Sequence, residues 1–188
     1  MKKLFFAALV AVFAMNSMNA QTFGVKAGLN MANFTGSDVN GTASKIGANV
    51  GVFARFEISD EFTFQPELSF SMQGTQSKDD SKLKTNANYL NLPLMAKYEV
   101  AEGFRLVAGP QVGFLMSAKY TNGDSSIDIK DGYKSIDFAL GLGAEYELES
   151  GLFFDFRYNL GLTSLDDSSS DLDVKNAVLQ LGLGYSFN

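Results

Sequence analysis

The sequence contains no cysteine, no histidine and no tryptophan, and only three prolines in 188 residues. Without cysteine there is no disulfide and no thiolate to act as nucleophile or metal ligand. Without histidine there is no Ser-His-Asp triad and no Cys/His metal site. Outside the N-terminus no uncharged apolar run approaches the ~20 residues that a membrane-spanning helix requires. Clustered basic residues are also missing. The formal net charge is −6, which argues against a nucleic-acid partner. Neither a catalytic residue, a cofactor nor a metal is expected.

What the chain has in abundance is glycine (18), phenylalanine (17) and apolar residues in fine alternation with polar ones. The first twenty residues are an exception. Lys2 and Lys3 precede an apolar stretch from Leu4 to Met15, and a small polar segment ends at Ala20. This is the pattern of a cleaved secretory signal peptide, so the mature domain is expected to span 21–188 with a net charge of −8. Cleavage after Ala20 leaves Met18 at the minus-three position, where a smaller residue is usual.

The last stretch, Lys175 to Asn188, organises the rest. Ala177, Leu179, Leu181, Leu183, Tyr185 and Phe187 share one parity, and Asn176, Gln180, Gly182, Gly184 and Ser186 the other. Side chains alternate faces along a strand, so this is an amphipathic β-strand. As a free edge it would invite aggregation, and pairing with the first strand would close a barrel. Gln180, Gly182, Tyr185 and Phe187 also resemble the C-terminal signal by which outer-membrane barrels are read by their insertion machinery.

Seven further strands carry the same alternation. They begin near Thr22, Ile46, Phe62, Tyr89, Phe104, Ser135 and Leu152. Short turns at 59–61, 101–103 and 149–151 alternate with the polar loops Gly36–Lys45, Gly74–Asn88, Thr121–Gly132 and Asp166–Asp173. This asymmetry is that of a transmembrane barrel, with tight periplasmic turns and longer extracellular loops. The expected fold is all-β, an eight-stranded antiparallel up-and-down transmembrane β-barrel. Pro66 and Pro110 fall on strands and predict irregular pairing there.

Alternation does not say which face points inward, since a soluble ligand-binding barrel alternates too. The glycines decide. Gly24, Gly28, Gly47, Gly51, Gly109, Gly113, Gly141, Gly143, Gly161, Gly182 and Gly184 share the polar parity. Glycine is tolerated in strands where backbones crowd or bend, and the crowded side of a narrow barrel is its lumen. The apolar face then meets lipid. Phe23, Phe56, Phe62, Phe64, Tyr98, Phe104, Tyr146, Phe154, Tyr185 and Phe187 lie in apolar phase at the short-turn ends, as an aromatic girdle requires.

The lumen parity carries Lys26, Arg55, Lys97, Arg105, Lys119 and Arg157 against Glu57, Glu67, Glu99, Asp137, Glu145, Glu147 and Asp155. Unpaired charges cost several kcal/mol each in so narrow an interior, so a paired network plugging the barrel is expected. A narrow proton or small-solute path is the alternative. Asp166, Asp167, Asp171 and Asp173, like Asp124, Asp128 and Asp131, offer hard oxygens for Ca²⁺, but their spacing fits no EF-hand loop. They are read as solvated loop.

Four strands carry a family resemblance. Tyr89-Leu90-Asn91-Leu92-Pro93-Leu94-Met95-Ala96-Lys97-Tyr98 resembles the Y-L-x-[IL]-P-L-x-x-K-Y strand of the PorT-like outer-membrane β-barrel family. Ala108-Gly109-Pro110-Gln111-Val112-Gly113-Phe114-Leu115 is similar to its G-P-x-x-G-x-L strand. The stretch Asp137 to Tyr146 is similar to its D-x-G-x-x-x-G-x-E-Y strand, with Ala139 where glycine is common, and Arg157 to Leu162 resembles the next. The resemblance implies a small outer-membrane barrel, secreted across the inner membrane and in contact with outer-membrane lipid. It implies no reaction, and the lack of histidine argues against the enzymes built on such barrels. A structural or surface-interaction protein, meeting an extracellular partner through its loops, is the leading expectation.

Overall fold

The computed structural model describes residues 21–167 and 172–187. The expected signal peptide lies outside the described residues, as do 168–171 with Asp171.

Nine strands follow one another: β1 (Gln21–Thr35), β2 (Thr42–Glu57), β3 (Phe62–Ser77), β4 (Leu83–Ala101), β5 (Phe104–Asn122), β6 (Ser125–Asp128), β7 (Ile136–Glu147), β8 (Leu152–Gly161) and β9 (Lys175–Phe187). Every pairing is antiparallel. β4 pairs with both β3 and β5, β5 also with β7, and β9 with both β8 and β1. Eight strands thus close on themselves, and the four-residue β6 hangs from the outer end of β5. Closure leaves no free edge in the wall, so the terminal strand has the partner that its apolar face demands. The closing seam runs from Phe23↔Phe187 to Thr35↔Lys175.

The two faces sort as the glycine parity implies. Outward are large apolar side chains with much of their surface bare, such as Leu29 (59% exposed), Val50 (57%) and Leu181 (52%). Inward are Lys26, Asn30, Glu67, Lys97, Glu145 and Arg157, all buried. A soluble barrel would place these two sets the other way round, so the reading as a soluble ligand-binding barrel is set aside. Tyr98, Tyr146, Phe104 and Phe62 stand exposed at the short-turn end, with Phe62 and Tyr98 in ring contact at 4.9 Å. Phe56 departs from the expected girdle, being covered to 6% exposure with the Phe64 ring 6.4 Å away.

The polar stretches depart from expectation. Gly74–Asn88 is not a long loop: β3 and β4 continue through it, paired as far as Gln76↔Lys84. Above the bilayer both faces of a strand are wet, so the alternation that marks it elsewhere disappears. Gly74 bends this extension with φ of 123°, and a Cβ there would lie 2.0 Å from the Thr85 carbonyl oxygen. Likewise Gly36–Lys45 shrinks as β1 reaches Thr35 and β2 begins at Thr42. Thr121–Gly132 contains β6 and a 3₁₀ turn, Lys130–Gly132. Pro66 and Pro110 both sit within paired strands, opposite Leu94 and Leu140.

A plugged lumen and its extracellular lid

The inward face of the short-turn half holds two charge clusters. In the first, Lys26 reaches Glu67 at 3.1 Å and Asp155 at 3.2 Å, and Arg157 reaches Glu67 at 3.0 Å and Asp155 at 3.1 Å. These groups lie far apart in the chain, yet β1, β3 and β8 aim them at one point across the lumen. In the second, Arg55 bonds Glu145 at 3.2 Å and Glu147 at 2.7 Å, Lys97 bonds Glu145, and Arg105 bonds Glu147 and, at 2.9 Å, Glu99. Each cluster has as many cations as carboxylates and is neutral. Gln65 joins them, accepting from Arg55 Nε at 3.3 Å and donating to Glu67 at 2.9 Å. Buried charges are tolerated when every one is paired and hydrogen-bonded.

Two of the sequence-selected charges lie elsewhere, and they correct the expectation. Glu57 is exposed at the end of β2, past the lumen. Lys119 is exposed on the outside, because a β-bulge intervenes: Asn88 faces Ser117 while Tyr89 faces Leu115, leaving Met116 as the extra residue. One extra residue flips the parity of all that follow, so Ala118, and not Lys119, turns inward and is wholly buried. Asp137 points inward but joins neither cluster. It accepts from Thr163 Oγ1 at 3.1 Å.

Several apolar lumen residues lie outside the sequence reading, among them Met95, Val107, Phe53 and Phe153. Phe53 and Phe153 lie in polar phase, yet both are buried, with ring centroids 5.5 Å apart and planes at 67°. The Arg55 guanidinium sits 5.5 Å from the Phe53 ring and the Lys97 ammonium 5.4 Å from that of Phe153, within cation–π range. Room for the rings comes from glycine. Gly24 is the register partner of Phe53, and Gly184 of Phe153, and a Cβ on either would lie 2.1 Å from the ring facing it. These cross-strand Gly–Phe pairs were the available signal.

Beyond the charges the lumen is filled by amides and hydroxyls. Asn30 donates to Ser71 Oγ and the Met72 carbonyl, both at 2.9 Å, and accepts from Asn49 at 2.7 Å and Gln180 at 3.0 Å. Gln180 in turn accepts from Asn159 at 2.9 Å. At the long-loop end this layer gives way to an apolar lid. Tyr89, Leu115, Ala87 and Ala118 line the mouth, and Ile129 and Tyr133 pack on them from above. Tyr133 also meets Phe34 at 6.2 Å. The lid is tied down at both ends, by Ile129 N–H to the Ala118 carbonyl at 3.0 Å and Lys134 N–H to the Leu165 carbonyl at 2.8 Å. Burial raises the pKa of the Tyr133 hydroxyl.

Outside the lid, the first and last loops are joined through acidic groups. The Asp173 N–H donates to Asp38 at 2.8 Å, and Lys175 pairs with Asp173 at 2.8 Å. The Lys175 hydrogen bond holds the Asp173 carboxyl below its usual pKa. Among the described residues, no three acidic groups converge as they would around a metal ion.

The residues of the expected insertion signal divide between the two faces. Gln180 and Gly182 face the lumen, whereas Tyr185 and Phe187 face outward, 44% and 53% exposed, with rings 5.7 Å apart. Gly182 faces Gly28 across the seam, and a Cβ there would meet nothing nearer than 3.3 Å. Gly182→Ala should therefore leave the folded barrel as resistant to denaturant as the parent. If the glycine is read during insertion, assembly of the variant in cells should slow. An unchanged assembly rate in pulse-labelled membranes would remove Gly182 from the signal.

Comparison with known proteins places this geometry. Among solved structures, the Neisserial surface protein A superimposes with a TM-score of 0.63 at 14% identity, over 90% of this chain and all of that one. Ail, the attachment invasion locus protein of Yersinia pestis, gives 0.56 at 18%, again over 90% of this chain and all of that one. A major outer membrane protein from Thermus thermophilus gives 0.51 at 16% with the same coverage. At such identities the likeness concerns the fold. No curated protein sequence matches the chain. The model of the outer membrane protein beta-barrel domain matches residues 14–167. The chain therefore belongs to that family, and it is a small bacterial outer-membrane β-barrel.

Proposed function

We propose that the protein is a non-conducting surface-interaction scaffold, a stiff barrel that holds its extracellular hairpins for a partner outside the cell. The observation that carries this reading is the filled lumen: two neutral charge clusters, an amide layer and an apolar lid lie in series along it. Nothing in that series favours a solute path. Binding energy then has to come from the exposed outer rim, where Ile127 is 63% bare and Lys78, Lys82 and Lys119 reach solvent. Kinship to the PorT-like group belongs to this proposal. It rests on the strand Tyr89 to Tyr98, which supplies Tyr89 to the lid and Lys97 to the plug.

Two measurements test the reading. In planar bilayers the purified barrel should show no steady openings, and steady openings abolished by Arg55→Gln or Arg105→Gln would establish the channel instead. A solved complex of Ail carries the heparin analogue sucrose octasulfate, so a sulfated glycan is the first probe for the outer rim. The same rim exposes Asp79, Asp80, Asp124, Asp128 and Asp131, more carboxylates than these lysines. Vesicles bearing this barrel should therefore retain heparin only at low salt, and Lys78→Gln, Lys82→Gln and Lys119→Gln together should abolish it. Retention that ignores these lysines would place the binding surface elsewhere.

A further inference from the structure

Two grooves lie side by side on the outward face of the barrel, one on either side of the β5–β7 pairing. The first is an open groove of about 550 Å³. It is lined by Ala27 and Ala144 among Leu181, Leu183, Phe154 and Phe156, with Gly28 and Gly182 between them. The second encloses about 400 Å³, with Ala96 and Ala108 flanked by Phe62, Tyr98, Leu106 and Leu142. The depth of both comes from alanines set among leucines and aromatics in the same cross-strand rows, Leu29↔Leu181↔Phe156↔Ala144 and Ala96↔Ala108↔Leu142. Both volumes fall within the ~300–1,000 Å³ common for small-ligand sites. Both grooves are continuous with the lipid-facing belt and open beside the girdle of Phe62, Tyr98, Phe104 and Tyr146.

Charge at the adjoining rim narrows the occupant. The exposed charged groups near the short turns are Glu57, Asp60, Glu61, Glu102 and Glu149, all acidic. Arg55 and Arg105, the cations nearest that mouth, are already bonded to Glu145, Glu147 and Glu99. The exposed lysines Lys78, Lys82 and Lys119 belong to the opposite rim. An anionic headgroup would face carboxylates with no free cation at that rim among the described residues, whereas the ammonium of a zwitterionic headgroup would be attracted.

We infer that the paired grooves seat the two acyl chains of one diacyl phospholipid from the periplasmic leaflet, whose headgroup carries an ammonium, as in phosphatidylethanolamine. One chain lies in each groove and the headgroup lies by Glu102 and Glu149. This is a fixed lipid site within a belt otherwise bathed by exchanging lipid.

The test uses the full barrel in vesicles of phosphatidylethanolamine, a small fraction of which carries a photoactivatable diazirine in its acyl chains. After irradiation, adducts are mapped by mass spectrometry. Leu142, Ala144, Leu181 and Phe156 should be labelled several-fold more than Val50 and Val52, which are equally bare but lie outside the grooves. Filling the floors with Ala108→Phe and Ala144→Phe should erase that excess while the barrel still resists detergent at room temperature. Should the phenylalanines block folding, Ala108→Leu and Ala144→Leu serve the same purpose. The same diazirine chains on phosphatidylglycerol should label the grooves less. Uniform labelling around the belt, equal labelling by both headgroups, or adducts replaced by cross-links between two copies of the chain would each overturn the inference.

Discussion

Arg157→Met should lower the unfolding free energy of the barrel by about 3–5 kcal/mol, the cost of stranding a buried charge. Arg157 is 1% exposed and donates to Glu67 and Asp155. Removing it leaves two buried carboxylates facing Lys26 alone. The loss is in the unpaired partner more than in the lost bonds, and a double variant separates the two. Arg157→Met with Glu67→Gln restores neutrality, because one cation then faces one carboxylate. It should recover most of the deficit. Urea titration of the refolded barrel, followed by its shift in gel mobility, measures both. A double variant no more stable than the single one would show that the bonds themselves, and not charge balance, hold the plug together.

Phe153→Ala is the second large effect. The side chain is wholly buried, and truncating a core phenylalanine costs about 3–5 kcal/mol. Here two further losses add: the edge contact with Phe53 and the ring face beneath Lys97. The structure also suggests the repair. A Cβ on Gly184 would lie 2.1 Å from the Phe153 ring, so a side chain at 184 would enter the space that the ring vacates. Gly184→Leu should be harmful alone, by overpacking, and should restore part of the stability of Phe153→Ala. Additive losses in the double variant would mean that the lumen relaxes around the missing ring.

These two residues also mark where the sequence stopped being legible. Arg157 was selected from strand parity alone, and so were its partners Lys26, Glu67 and Asp155. The alternation of faces is strict within the bilayer, where one side is lipid and the other a crowded lumen. Phe153 gives no sign of its place, because hydrophobicity marks the outer face while the interior needs bulk as well as charge. Parity puts Lys119 on the wrong face because a bulge has no signature in composition: Met116 is as apolar as the residues it displaces. The upper halves of β3 and β4 read as loop because water touches both their faces and removes the contrast on which the reading depends. The lid was invisible for a related reason. Ile129 and Tyr133 are isolated apolar residues in a polar segment, and the 3₁₀ turn between them and the backbone ties on either side bring them over the mouth.

The seam between the first and last strands has a consequence for how the molecule is made and lost. Its hydrogen bonds join groups far apart in the chain, as Asn30 and Gln180 are, 150 residues distant. Such contacts form slowly, since the intervening polypeptide must be gathered first. Chains that end early therefore cannot become cylinders, so synthesis itself proofreads length. Once shut, the ring has no loose end from which to unravel, since every strand of the wall is paired on both sides.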